Sequence, residues 1–156
     1  MGFVCQGRYV LAPIEPTDAE KYVDLQLDCM EQTYDPLYFD TLGESFTARH
    51  RAERDEYLED FRRHISSPTV RGFFAYEVPG WTPDGGLSCS IGARIDWEKP
   101  AGLTLSLCEP SDWELERADS MPELPAGTRK LTHLYTLNHT HGTGLGQALY
   151  ESAIYP

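Results

Sequence analysis

The residues best suited to chemistry lie near the end of the sequence, in "HTHGTGLGQALY" (139–150). Gly142, Gly144 and Gly146 alternate there and give way to a run of helical character, from Gly144 to about Ile154. Before them, residues 130–137, "KLTHLYTL", have strand character. A strand, a glycine turn and a helix start gather backbone N–H groups in one concavity, where the positive end of the helix dipole adds to them. Glycines let an oxyanion approach without meeting a Cβ. The chemistry on offer is phosphate binding, with the N–H groups of His141, Gly142, Gly144 and Gly146 as donors and Gln147 close by.

Spacing excludes the two common nucleotide motifs. The G-x-x-x-x-G-K-[ST] loop is absent because no lysine follows the glycines. A dinucleotide fingerprint needs G-x-G-x-x-G and an acid about 20 residues further on. Here the glycines run G-x-G-x-G, and the sequence given stops at residue 156. His139 and His141 are two residues apart with no acidic or cysteine ligand beside them, so no metal is expected. Cys5, Cys29, Cys89 and Cys108 are scattered without a CxxC pair, as in buried or idle thiols of a reducing compartment.

The elements that must position this turn can be read upstream. "GRYVLAPIEP" alternates and ends in proline punctuation, which reads as a strand. In "TDAEKYVDLQLDCMEQTY", Thr17 and Glu20 have capping-box spacing, and Ala19, Tyr22, Val23, Leu27 and Met30 recur at helical intervals. "DPLYFDTLGESF" reads as a loop. "TARHRAERDEYLEDFRRHI" reads as one charged helix with Tyr57, Leu58, Phe61 and Ile65 on one side, closed by "SSP". "TVRGFFAYEV" is a strand, "PGWTPDGG" a turn, and "LSCSIGARIDW" a strand returning antiparallel, with Gly92 marking a bulge or close approach. Residues 98–128 read as an acidic insertion in which only "LTLSLC" has strand character. It is either solvated surface or a lid gathering a cationic substrate. Residues 1–156 form a single domain without repeats.

Composition sets the limits. The chain has 156 residues, 40% hydrophobic and 12% aromatic, enough for one buried core. A net charge of −12 and a pI near 4.7 repel phosphate backbones, so no nucleic-acid partner is expected, and a cationic small amine suits the field better. No apolar run approaches the roughly 18 residues of a membrane span. "MGFVCQGRYV" has no basic n-region and no Ser or Thr at position 6, so neither secretion nor myristoylation is expected. The expected location is cytoplasmic, without a membrane partner.

"LYTLNHTHGTGLGQALYESA" resembles the GCN5-related N-acetyltransferase (GNAT) family, whose signature Q/R-x-x-G-x-G/A follows a strand ending like L-Y-V. His141-Gly142-Thr143-Gly144-Leu145-Gly146 falls on that signature and Leu134-Tyr135-Thr136 on the strand ending. The upstream order of strand, two helices, antiparallel hairpin and motif strand agrees with the family. The resemblance implies a mixed α+β fold, a mostly antiparallel sheet flanked by helices. It implies acetyl-CoA as cosubstrate, no metal, and direct transfer of the acetyl group to a primary amine of a small molecule or peptide. Cofactor contacts would fall on Tyr135, Thr136, Leu137, His141, Gly142, Thr143, Gly144, Gly146 and Gln147. The backbone N–H of Thr136 would meet the thioester oxygen, with Tyr135 and Leu137 flanking the pantetheine.

Several positions depart from the family. His141 stands where it has Gln or Arg, and Lys130 where some relatives carry a glutamate base. His133, on the same face as Tyr135, is then the candidate base, or else a histidine satisfied within the sheet. Glu31 and Asp35 could hold a cationic substrate or simply be a solvated helix end. The family continues through a further strand, helix and hairpin that this sequence lacks, so Tyr150 and Tyr155 do not match its thiolate-protonating tyrosine. A truncated product, a homo-oligomer or partner that completes the sheet, and a non-catalytic acyl-CoA-binding or assembly module are the resulting expectations.

Overall fold

Along Tyr9-Val10-Leu11-Ala12, successive side chains go to opposite faces of a sheet, and each is buried. A strand buried on both faces needs a layer on each side, and the computed structural model has that arrangement. It describes residues 4–5, 7–42, 45–81, 94–120 and 123–155. Five strands, β1 (Val4–Cys5), β2 (Tyr9–Pro13), β3 (Arg71–Glu77), β4 (Gly102–Leu107) and β5 (Lys130–Thr136), pair antiparallel in chain order. The helices are α1 (Ala19–Leu42), α2 (Phe46–Ala52), α3 (Arg54–Ile65), α4 (Asp112–Glu116) and α5 (Leu145–Ile154). The expected mixed α+β fold, an antiparallel sheet flanked by helices, is the one found.

One face of the sheet carries the larger core, where Val10, Phe74, Tyr76, Leu103 and Leu105 meet Tyr22, Val23, Leu27 and Phe61 of α1 and α3. The other face holds Tyr9, Leu11 and Ala75 against Leu145 and Leu149 of α5. β4 shows how the two layers fit. Its leucines enter the larger core, while Gly102, Thr104 and Ser106 face α5. A Cβ on Gly102 would stand 3.0 Å from Leu149 Cδ1 and 3.1 Å from the Tyr135 carbonyl, so a bare backbone lets α5 press against the sheet.

Four expectations are corrected. The helix expected to stop before "DPLYFDTLGESF" runs on through Pro36 to Leu42. Its N-terminal lock lies two residues earlier than Thr17/Glu20: the Glu15 N–H donates to Asp18 Oδ2 at 2.8 Å, over a 3-10 turn of Pro16–Asp18. The single charged helix is two, α2 and α3, meeting at Glu53. The strand that follows β3 and pairs antiparallel with it is β4, inside the stretch read as an acidic insertion, and all six of its residues are buried. The strand expected at 87–97 lies outside the described residues from 87 to 93, and 94–97 are not strand. No helix among the described residues is long and apolar enough to cross a membrane.

Candidate functional site

Among the described residues the last strand, β5, is an edge strand, bonded to β4 on one side only. The Leu137 N–H donates to the Ala101 carbonyl at 2.9 Å, and Gly102 stands opposite Thr136. Alternation in an antiparallel pair then turns the Thr136 N–H away from β4, toward the open edge. The register slips between Leu105 and Ser106, which face His133 and Leu131, leaving Thr132 as the extra residue of a bulge. Because of that bulge, Lys130 and His133 stand opposite Leu107 and Leu105 on the same face. Lys130 Nζ lies 3.1 Å from both carboxylate oxygens of Glu114.

Beyond β5 the chain turns through a short 3-10 helix (Asn138–Thr140), Gly142 at φ 79° and Gly144 at φ 85°, and enters α5. Internal bonds consume some of the expected donors. The His141 N–H donates to the Asn138 carbonyl at 3.1 Å and the Thr143 N–H to the Thr140 carbonyl at 3.3 Å. His141 and Thr143 therefore leave the set of free backbone donors, which corrects the expectation for His141. The first bond of α5 runs from the Ala148 N–H to the Gly144 carbonyl, and no side chain caps the helix. Among the described residues, the N–H groups of Gly142, Gly144, Leu145, Gly146 and Gln147 have no acceptor. Leu145 thus joins the expected donors.

The space over this turn is open: a Cβ on Gly142, Gly144 or Gly146 would meet nothing within 4 Å. At Gly142 and Gly144 the positive φ already demands glycine. Gly146 is different, since it sits in ordinary helix where glycine costs roughly 1 kcal/mol relative to alanine. Nothing in the chain's own packing asks for it, and a group approaching the helix start from outside would.

Residues distant in sequence hold the turn. The Thr143 hydroxyl donates to the Thr140 carbonyl at 2.5 Å, so at 2.9 Å it is the Tyr9 hydroxyl that donates to Thr143 Oγ1. The Asn138 N–H donates to Gln32 Oε1 at 2.7 Å, and its side-chain amide reaches the Gln32 carbonyl at 3.4 Å. That carbonyl is free because Pro36, four residues on, has no N–H to give it. His139 Nε2 lies 2.6 Å from Glu77 Oε1. Tyr9, Gln32, Pro36 and Glu77 carry no local motif, and only the fold brings them to the turn.

His133 is held differently from what a base requires. Burial, then the neighbouring His64, pushes its pKa down to about 4. Burial also holds the Tyr22 hydroxyl in its protonated form, so across their 2.6 Å contact Tyr22 donates and His133 Nδ1 accepts. With its lone pair taken and its proton affinity low, this ring fastens β5 to α1 instead of taking a proton from an amine. The acids near the end of α1 are occupied as well. Glu31 bonds Arg51 at 2.9 Å. Asp35 accepts from the Ser45 hydroxyl at 2.6 Å and from the Thr47 N–H and hydroxyl at 2.9 Å each. These bonds, the Ser45 hydroxyl foremost, hold its carboxyl below the usual range. Among the described residues no group of three His, Cys, Asp or Glu could hold a metal ion.

No family model and no curated protein matches the sequence. Among solved structures, the chain is similar to AAC(6')-Iy, solved in complex with the bisubstrate analogue CoA-S-monomethyl-acetylneamine. That match has 12% identity and a TM-score of 0.48, over 93% of this chain and 68% of that one. A possible acetyltransferase from Clostridium difficile matches at 10% identity and a TM-score of 0.45, over 92% and 67%. A candidate acetyltransferase of the GNAT family from Desulfovibrio desulfuricans matches at 17% and 0.44, over 91% and 60%. These are likenesses of fold, and the chemistry rests on this chain's own residues.

Proposed function

We propose that this chain binds acetyl-CoA on its glycine turn and passes the acetyl group to a primary amine. The observation that carries the reading is the set of five unpartnered N–H groups between Gly142 and Gln147, under space that a Cβ would otherwise fill. Such a set suits the pyrophosphate of coenzyme A, and the start of α5 adds a favourable dipole. Tyr9, Gln32 and Glu77 hold the turn in place before the ligand arrives.

Acetyl-CoA, when bound, supplies an activated acyl carbon. The chain's part is positioning and charge. With the pyrophosphate on the turn, the pantetheine would run along the open edge of β5 between Tyr135 and Leu137. The Thr136 N–H points to that edge, where it would meet the thioester oxygen as it becomes negative. One such donor is worth on the order of 100-fold or more in rate. An alkyl ammonium of pKa about 10 is mostly protonated at neutral pH, and on this reading its proton goes to water because His133 is bound to Tyr22.

The test is release of the coenzyme A thiol from acetyl-CoA in the presence of a panel of amines: polyamines, aminoglycosides, arylalkylamines and peptides. Amine-dependent release, rising with pH toward the amine pKa, is expected. The occupied lone pair of His133 favours a second reading, a module that binds acyl-CoA without turning it over. Coenzyme A binding with no thiol release across the panel would select that one.

A further inference from the structure

We infer that a cavity at the end of the sheet, beside the glycine turn but distinct from it, is a binding site for a phosphate monoester. Its volume is about 560 Å³, and none of the turn's five free N–H groups belongs to its wall. Four segments meet there. Arg8 precedes β2, and its carbonyl accepts from the Val78 N–H at 3.0 Å. After β3 the chain turns on Pro79 and Gly80 (φ 73°), and the Trp81 N–H donates back to the Val78 carbonyl at 3.3 Å. The Arg8 guanidinium then lies over the Trp81 ring at 5.0 Å and over that of Tyr9 at 5.8 Å. Arg94 and Lys99 come from the stretch before β4, and His139 from the 3-10 helix after β5.

The charges single this cavity out. The chain has 25 acids against 13 arginines and lysines, so every cation could have been paired internally. Lys21 is paired with Asp18, Arg51 and Arg54 with acids of α1, Arg63 with Asp60, and Lys130 with Glu114, while Arg129 donates to the carbonyls of Thr69 and Ser106. Among the described residues, the side chains of Arg8, Arg94 and Lys99 have no hydrogen bond and no ion pair, and all three line this cavity. Two carboxylates share the wall, and both are engaged. Glu77 Oε1 lies 2.6 Å from His139 Nε2, and Asp96 Oδ1 accepts from the Glu98 N–H at 3.1 Å. An acidic protein that leaves three cations without an anion in one concavity holds them for an anion from outside.

The donors suit phosphate in particular. A guanidinium laid against two rings loses little freedom on binding, and its forked N–H groups match two phosphate oxygens. A second guanidinium and an ammonium supply charge for a dianion, more than a lone carboxylate would need. The volume is that of a small-molecule site, large enough for a phosphate with the sugar or ring that carries it.

Two sources carry this group. One is a separate phosphorylated metabolite. The other is the 3′-phosphate of coenzyme A, because His139 stands three residues before Gly142. Only the second source rests on the acetyl-CoA reading above.

Dephospho-coenzyme A, which keeps the pyrophosphate and lacks the 3′-phosphate, tells them apart. Inorganic phosphate is titrated calorimetrically, at constant ionic strength, into the full chain saturated with dephospho-coenzyme A. Binding is expected, weakened at least fivefold in Arg8→Gln and in Lys99→Gln, with dephospho-coenzyme A affinity held within twofold in both variants. In the coenzyme A complex, loss of phosphate binding assigns the cavity to the 3′-phosphate, and persistence assigns it to a separate phosphorylated ligand. If dephospho-coenzyme A does not bind, the acetyl-CoA reading falls, and the same titration of the free chain and its two variants decides the cavity by itself. No phosphate binding, or binding undiminished in either variant, overturns the inference.

Discussion

At the scale of single residues, His133 shows how an environment decides a role. Its place on the motif strand, on the same face as Tyr135, makes it the candidate base of the sequence, but burial and the Tyr22 hydroxyl keep it neutral and occupied. Its pKa is lowered in the fold, so the unfolded chain binds its proton more readily. The stability that comes from keeping it neutral is complete above about pH 6.5 and is lost as pH falls toward 4. That loss amounts to about 3 kcal/mol, and the lowered pKa of His64 acts in the same direction. In His133→Gln the amide oxygen can still accept from Tyr22 but cannot titrate. Thermal unfolding followed from pH 7 to pH 4.5 should therefore decline less steeply in that variant than in the parent chain. Parallel curves would show that His133 is not the neutral, buried ring described.

At the scale of elements, the clasp between α1 and the glycine turn depends on a missing hydrogen bond. The stretch "DPLYFDTLGESF" reads as a loop in the sequence, yet the helix continues through Pro36, and the Gln32 carbonyl that Pro36 leaves free is reached by Asn138. Pro36→Ala should supply an N–H to the Gln32 carbonyl and compete with Asn138. The expected result is a helix of equal or greater stability with coenzyme A binding weakened several-fold, measured by thermal unfolding and calorimetry. β-Branched and aromatic runs made β3 legible in the sequence, and the strand–glycine–helix order made β5 and α5 legible. β4 was harder, because "GLTLSL" is buried on both faces and its small residues answer to α5, far along the chain. The bulge at Thr132 was hidden for a related reason: it is a register between two strands, and β5 alone does not contain it.

At the scale of the molecule, the proposed function sets a turn that receives an anion on an acidic chain. The backbone supplies that turn's charge through N–H groups, so it is compatible with a net −12 that composition alone would set against phosphate. The donors were nearly all legible from "HTHGTGLGQ", because glycine spacing reports directly on backbone geometry. Their supports, Tyr9, Gln32 and Glu77, were not, since they come from three different elements. The central claim is that the turn holds the pyrophosphate of coenzyme A, and Gly146 tests it most directly. Nothing in the fold opposes a Cβ there, so Gly146→Ala should stabilise α5 by roughly 0.5–1 kcal/mol. The same methyl would stand between the backbone and the phosphates. Calorimetric titration of coenzyme A into the parent chain and into Gly146→Ala should show binding weakened at least tenfold in a variant that melts no lower. No binding of coenzyme A by the parent chain, or equal binding by both, would contradict it.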